Sequence, residues 1–322
     1  MKIIRVTQSS YTDSLDEYRS FAPLGTVTVL GFFDGVHIAH RALISEAKEI
    51  ANQQDLPLTV FTFFGDTNEL KASAKRLFTD DEKLSLLEEC GADCAIIADF
   101  SVFRDISAEN FVKDFLVSAL NTRVAISGFN FRFGKNASGN SDDLRRFMMN
   151  AGRGAKIFDE YLYENKTLSS SYIRALLSEK KLKEAAVLLG KPYFLSGKVS
   201  HGLGLGKSLG IPTINTELPI ERFILPYGVY LTAIKIDGKI YRALTNIGSC
   251  PTFEKRKAHI ETFILDFDGN LYDQNVRIYF IAHLRDEKRF SSAEELIMQI
   301  NIDKNRALAI SGDVKWQEFG LN

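Results

Sequence analysis

The stretch Val27-Thr-Val-Leu-Gly-Phe-Phe-Asp-Gly-Val-His-Ile-Ala-His40 decides the architecture of the first half of the chain. A β-branched run ends in a glycine-bearing turn, and an amphipathic pattern begins beyond it. Gly31 and Gly35 allow a tight turn. The helix opening near His40 presents free N–H groups and a positive dipole end, which suit phosphate. His37 and His40 stand three residues apart, so both can face the turn and donate hydrogen bonds to a phosphoryl group as its charge builds up. Phe33 and Asp34 lie within the same turn. By itself an H-x-x-H pair at a strand–helix turn is a weak motif that also suits cap or surface histidines.

Outward from this turn, further short strands are expected at Leu58–Phe63, Cys94–Ala98, Arg123–Ser127 and Ala155–Tyr161. Leu43, Ala47, Ile50 and Ala51 form one helical face between the first two strands. Thr79-Asp-Asp-Glu82 reads as a capping box opening a helix through Leu87. Strands alternating with helices predict an α/β, Rossmann-like domain on a parallel sheet, with ligand beyond the carboxyl ends of the strands. A helical stretch over Ser171–Leu189 closes this half, and Gly190-Lys-Pro192 breaks it. The expected domains are 1–186 and 187–322.

The second half reads as a small antiparallel barrel with a terminal helix. Val229–Ile236 alternates apolar and polar residues, and Asp237-Gly238 signals a tight hairpin. A second hairpin is expected at Asp268-Gly-Asn270, and a helix capped near Ser291–Glu294 that packs Leu296, Ile297 and Ile300 on the barrel. Gly197, His201, Gly202, Gly204, Gly206 and Lys207 belong to a glycine-rich stretch able to wrap phosphates with backbone N–H groups. Its spacing is not that of a P-loop. Thr213 and Asn215 alternate on an extended chain, so both oxygens point the same way, a donor set suited to Mg²⁺.

Composition bounds the partners. The chain has 322 residues, 45% hydrophobic and 25% charged, and a formal net charge of −1. There is no basic excess to neutralise a nucleic-acid backbone. Cys90, Cys94 and Cys250 are too few and too irregularly spaced for a disulfide framework or a zinc site. No apolar run approaches the roughly 20 residues of a membrane span, and the N-terminus turns polar too early for a signal peptide. A cytoplasmic protein acting on small molecules is expected. Oligomeric state is not legible.

These motifs together resemble one family, the prokaryotic bifunctional riboflavin kinase/FMN adenylyltransferases (FAD synthetases). GFFDGVHIAH resembles the G-N-F-D-G-V-H-x-G-H signature of the adenylyltransferase module. Gly128-Phe-Asn-Phe-Arg-Phe-Gly134 looks like the stretch near the flavin, which assigns Asn130, Phe131, Arg132 and Phe133 to flavin. Leu168-Ser-Ser-Ser-Tyr-Ile-Arg174 looks like the segment that holds the ATP phosphates, through Ser170 and Arg174. Pro212-Thr-Ile-Asn215 resembles the P-T-A-N motif that binds the metal of Mg-ATP. Asn246-Ile-Gly-Ser-Cys-Pro-Thr-Phe253 and Glu261-Thr-Phe-Ile-Leu-Asp-Phe267 resemble the kinase motifs that follow. The resemblance makes Glu261 the general base for the ribityl hydroxyl, and sets Arg285 and Phe290 beside the isoalloxazine. His259 and His283 are read as structural or exposed.

The resemblance implies riboflavin, FMN and FAD as substrates and products. It has departures. Phe32 replaces Asn, Ala39 replaces Gly, Asn130 replaces Asp, Tyr172 replaces Arg and Phe263 replaces His. The F-x-P-H-P turn appears as Phe61-Thr-Phe-Phe-Gly-Asp66. These leave open whether the first half transfers adenylyl to FMN, serves another acceptor, or only binds nucleotide and flavin as a regulatory module beside the kinase.

Overall fold

The computed structural model describes residues 1–64, 75–164, 166–200, 211–217, 222–249 and 258–311. The chain divides into two compact units, Met1–Leu168 and Ser169–Asn322. The division falls ahead of the Gly190–Pro192 break.

The first unit is built on a six-stranded sheet. Its strands are β1 (Lys2–Val6), β2 (Thr26–Leu30), β3 (Leu58–Phe64), β4 (Cys94–Asp99), β5 (Thr122–Gly128) and β6 (Gly154–Phe158), in the order β1-β4-β3-β2-β5-β6. Every pairing is parallel. Helices include α1 (Tyr11–Phe21), α2 (Ile38–Gln53) and α3 (Asp80–Glu89). Both faces of the sheet are covered, and β4 shows it residue by residue. Cys94, Ile96 and Ala98 enter one apolar cluster, while Ala95 and Ile97 enter another with Leu84. That alternation is the period-2 rule applied to a strand buried on both sides. The larger cluster centres on Phe61, Phe103 and Phe115, with ring centroids 4.6–5.3 Å apart. The short pair β7 (Leu162–Tyr163) and β8 (Lys166–Thr167) follows β6.

The second unit is a closed antiparallel barrel. Its strands are β9 (Phe194–Ser200), β10 (Thr213–Thr216), β11 (Gly228–Ile236), β12 (Lys239–Ser249), β13 (Ala258–Ile264) and β14 (Asn275–Arg285), in the order β10-β13-β12-β11-β14-β9. Two short helices, Ser170–Ser178 and Leu182–Leu189, precede it, and the helix Ala293–Ser311 follows it.

Several expectations are corrected. Asp268-Gly-Asn270 is not a hairpin. The strands on either side of it pair with other neighbours, β13 with β10 and β12, β14 with β11 and β9. The stretch joins strands that are not adjacent, across residues 265–274. The helix expected over Ser171–Leu189 is two helices, parted where Lys180 takes φ 60°. The last sheet strand ends at Phe158 instead of Tyr161. The strand β1 has no counterpart in the sequence reading. The Asp237-Gly238 turn is as expected, with φ 48° and 80°, as is the Thr79–Glu82 capping box.

One buried cation ties α3 to the carboxyl edge of the sheet. The Lys83 ammonium donates to the Phe63 carbonyl at 2.6 Å and lies 3.6 Å from Asp80. Thr62 Oγ1, in the same patch, donates to the Phe32 carbonyl at 2.9 Å. Burial pushes the Lys83 pKa down to about 8 against 10.5, although Asp80 pulls the other way. The unfolded chain therefore holds this proton up to higher pH than the folded one. Between about pH 8 and 10.5 the unfolded state binds more protons, so the lysine's contribution to stability rises with pH. Relative to Lys83→Met, wild-type stability should increase by about 3 kcal/mol across that window. Urea unfolding of both proteins at pH 7.5 and 10.5 reads this difference, and a constant gap would mean that no ammonium is desolvated there.

Candidate active sites

The first site forms where β2 ends. Gly35 adopts φ 89° and Phe33 φ 53°, a sharp reversal that only a tightly packed turn holds in place. Gly31 is required by packing, because a Cβ there would stand 2.7 Å from the Phe33 ring. That ring is buried and meets His40 edge-on at 5.1 Å. Phe33 thus braces the turn. Asp34 accepts a hydrogen bond from the Leu77 amide at 2.9 Å, which fixes the turn against the segment leading into α3.

His37 is the N-cap position of α2, one turn earlier than the sequence suggested, and His40 lies in the first turn. The two imidazoles stack at 3.7 Å with planes 13° apart. His37 is only 3% exposed, and its Nδ1 is buried without a hydrogen-bond partner. Burial lowers its pKa to about 4, so the ring is neutral at pH 7. Two stacked imidazoliums would repel, and neutrality removes that cost. A buried nitrogen left unsatisfied beside a helix N-terminus suits an arriving polar group better than an empty core.

A small pocket next to the turn is lined by Phe32, Phe33, Asp34, Gly35, Arg76, Phe78 and Lys83. Lys83 lies 5.5 Å from the centroid of the Phe32 ring, and Arg76 is held by Asp80 at 2.8 Å. Sequence reasoning took Thr79–Glu82 for a helix start and missed the two cations flanking it. A lysine set among Leu84, Leu86 and Leu87 was the available signal.

The flavin-loop residues separate by burial. Phe133 is buried against Phe111 at 5.4 Å and stacks with Phe131 at 5.5 Å, so it anchors the loop in the core. Asn130 and Arg132 are exposed. Gly134 takes φ 74° where a Cβ would collide with Ala108. Ser170 and Arg174 lie on the helix Ser170–Ser178 of the second unit, capped by Ser169. Arg174 donates to Ser171 Oγ at 3.1 Å.

The second site is a row of cross-strand neighbours on the barrel. Asn215 pairs with Glu261, Glu261 with Asn246, Asn246 with Val229, and Val229 with Arg285. Asn215 also pairs with Ser200, so the row touches all six strands. Directly opposed residues point to one face with Cβ atoms about 5 Å apart. One residue along, Thr262 and Thr245 are direct neighbours whose buried hydroxyls meet at 2.9 Å, and Thr245 reaches Thr232, diagonal to it on β11, at 2.8 Å. Thr213 sits two residues before Asn215 on the same edge, opposite Phe263. The Oδ1 of Asn215 is buried and has no hydrogen-bond partner.

Gly197 has a packing reason for its identity, since a Cβ there would collide with the Glu217 carbonyl and the Thr216 side chain. His201, Gly202, Gly204, Gly206 and Lys207 lie outside the described residues. Arg285 is gripped by the buried Asp303 carboxylate at 2.9 and 3.1 Å and lies 5.6 Å from the Phe290 ring. His259, read from sequence as structural or exposed, has its Nε2 2.9 Å from Glu261 Oε1. The H-x-E spacing on a strand was the signal for that contact. Among the described residues no group of three His, Cys, Asp or Glu side chains could hold a metal, and no helix is long and apolar enough to cross a membrane.

Comparison with known proteins covers both units. The riboflavin kinase family matches residues 189–311, and the FAD synthetase family matches residues 21–172. The bifunctional riboflavin kinase/FMN adenylyltransferase of Bacillus subtilis is 33% identical over 96% of this chain and 98% of its own length. That of Escherichia coli K12 is 34% identical over 90% and 94%. Among solved structures, one described as a macrolide-efflux protein from Streptococcus pneumoniae superposes with a TM-score of 0.78. It is 28% identical and covers 87% of this chain and 93% of its own. With both family matches in order and the barrel row and the strand-end histidines in place, the chain belongs to the bifunctional riboflavin kinase/FMN adenylyltransferase family.

Proposed function

We propose that the second unit phosphorylates riboflavin with Mg-ATP to give FMN, and that the first unit adenylylates FMN to FAD. The observation that carries the kinase reading is the barrel register, which aligns Asn215 and Glu261 as direct cross-strand neighbours. The orphaned Asn215 oxygen, with the Thr213 hydroxyl, fits a hard cation that favours oxygen donors. Bound there with ATP, Mg²⁺ would neutralise charge on the transferring phosphoryl group.

Glu261 supplies the base. Its carboxylate takes the proton of the ribityl 5′-hydroxyl as that oxygen attacks the γ-phosphorus, and ADP leaves. The side chain is 41% exposed, so it can meet a substrate arriving from solvent. Asn246, on its other side, adds an amide to the same row. Arg285 and Phe290 supply a planar cation and an aromatic ring for the flavin, with Asp303 holding the guanidinium in one orientation. The glycine-rich stretch with His201 and Lys207 completes the phosphate cradle in this reading.

The adenylyltransferase reading rests on His37 and His40. A stacked pair at the start of α2, with His37 neutral, can donate to the α-phosphate as negative charge builds during attack by FMN. The family pattern assigns Ser170 and Arg174 to the ATP phosphates, and Asn130, Phe131 and Arg132 to the flavin. Phe32, which stands where the family signature has Asn, contributes a ring to the Lys83 pocket.

Purified protein given riboflavin and Mg-ATP should produce FMN by chromatography, and absence of FMN would sink the kinase reading. Glu261→Gln should lower FMN formation by about 10²–10⁴ while ATP still binds. Asn215→Ala should raise the Mg²⁺ concentration needed for half-maximal rate; an unchanged metal requirement excludes the ligand role. His40→Ala should abolish FAD formation from supplied FMN and leave riboflavin phosphorylation intact. If wild type itself yields no FAD from FMN, the departures in the first unit are disabling, and titration calorimetry with nucleotide then tests for binding without transfer.

A further inference from the structure

We propose that His259 is a positioning residue of the phosphoryl-transfer site, holding the Glu261 carboxylate in the orientation that meets the acceptor hydroxyl. The inference rests on the reading of Glu261 as the base. Both residues lie on β13 two positions apart, so their side chains leave the strand on the same face. The Nε2–Oε1 distance of 2.9 Å is that of a good N–H···O hydrogen bond. In such a bond Nε2 would be the donor, as the neutral Nε2–H tautomer or as the imidazolium. One carboxylate oxygen is then occupied and the other is left for substrate.

The surroundings favour a directed role over a chance surface pair. Across the ladder from His259 is Gly248, which offers no side chain. The space above Gly248 is taken instead by the Glu287 carboxylate, whose Oε1 is 2.5 Å from where a Cβ would stand. The Asn246 amide is 3.4 Å from the same point. The imidazole therefore stands in a polar row with Glu261 beside it and Glu287 over its cross-strand neighbour. Glutamate has three rotatable side-chain bonds, and a half-exposed carboxylate without a partner samples many rotamers. A base must be held within about 0.5 Å of its productive position to act efficiently. The histidine supplies that restraint on Glu261. Because the pair is about 40% exposed, its removal should barely affect folding.

Phe263 stands two residues on the other side of Glu261, and so on the same face of the strand. An imidazole placed there can reach the same carboxylate from the opposite side.

The test is steady-state FMN formation by His259→Phe, His259→Gln, the pair His259→Phe with Phe263→His, and His259→Phe combined with Glu261→Gln. His259→Phe should lower kcat by about 10- to 100-fold with KM for riboflavin and Mg-ATP within about twofold of wild type. His259→Gln keeps an N–H donor and should recover most of the rate, as should the relocated histidine. In the Glu261→Gln background, His259→Phe should cause no further loss, because its effect passes through the carboxylate. Thermal midpoints of all variants check that each is folded. Wild-type kcat in His259→Phe, a change confined to KM, or multiplying losses in the double variant would overturn the proposal while leaving the kinase reading standing. A wild-type protein that makes no FMN, or a fully active Glu261→Gln, would overturn the reading beneath it and this inference together.

Discussion

The antiparallel register of β10, β13 and β12 is the constraint on which the second unit depends. It sets Asn215, Glu261 and Asn246 side by side and sends Thr245 and Thr262 to the buried face. The side-chain period is two, so a slip of one residue would bury the glutamate and expose the hydroxyls. Burying an unpaired carboxylate is far more costly than burying a hydrogen-bonded threonine. The alternation of polar types along β13 therefore protects the register, and the register assembles the site. Closure of the barrel adds to this, since a closed sheet has no free edge along which a strand could shift.

The first unit solves a different problem. Its polar groups gather at the carboxyl edge of a sheet buried on both faces, where few partners are free. His37 stays neutral there, and Lys83 reaches a backbone carbonyl and an aspartate. Each arrangement avoids an isolated buried charge. Phe32 fits the same logic, because an aromatic face beside a buried ammonium replaces some of the water the ammonium has lost. The replacement of Arg by Tyr172 has no such account in the structure.

Local chemistry was legible wherever a short stretch carries its own rule. The capping box at Thr79, the Asp237-Gly238 turn and the β-branched runs of the sheet are of this kind. Long-range pairing was not. Asp268-Gly-Asn270 has turn composition, yet the strands on either side are not partners, because barrel closure gave each a different neighbour. The strand Lys2–Val6 was invisible because it sits at a sheet edge and owes its conformation to β4. The break at Lys180 was hidden inside a continuous helical pattern.

What the sequence by itself determined is the class of each half and the residue types its chemistry needs. A strand–turn–helix with two histidines and a run of short alternating strands with Thr, Asn and Glu at set positions carry that information locally. What only tertiary structure decided is which of those residues meet. His259 reaches Glu261 while Phe133 turns into the core, and Gly197 and Gly31 are demanded by packing. Those outcomes depend on strand register and on neighbours far away in the chain, and no single segment encodes its partner.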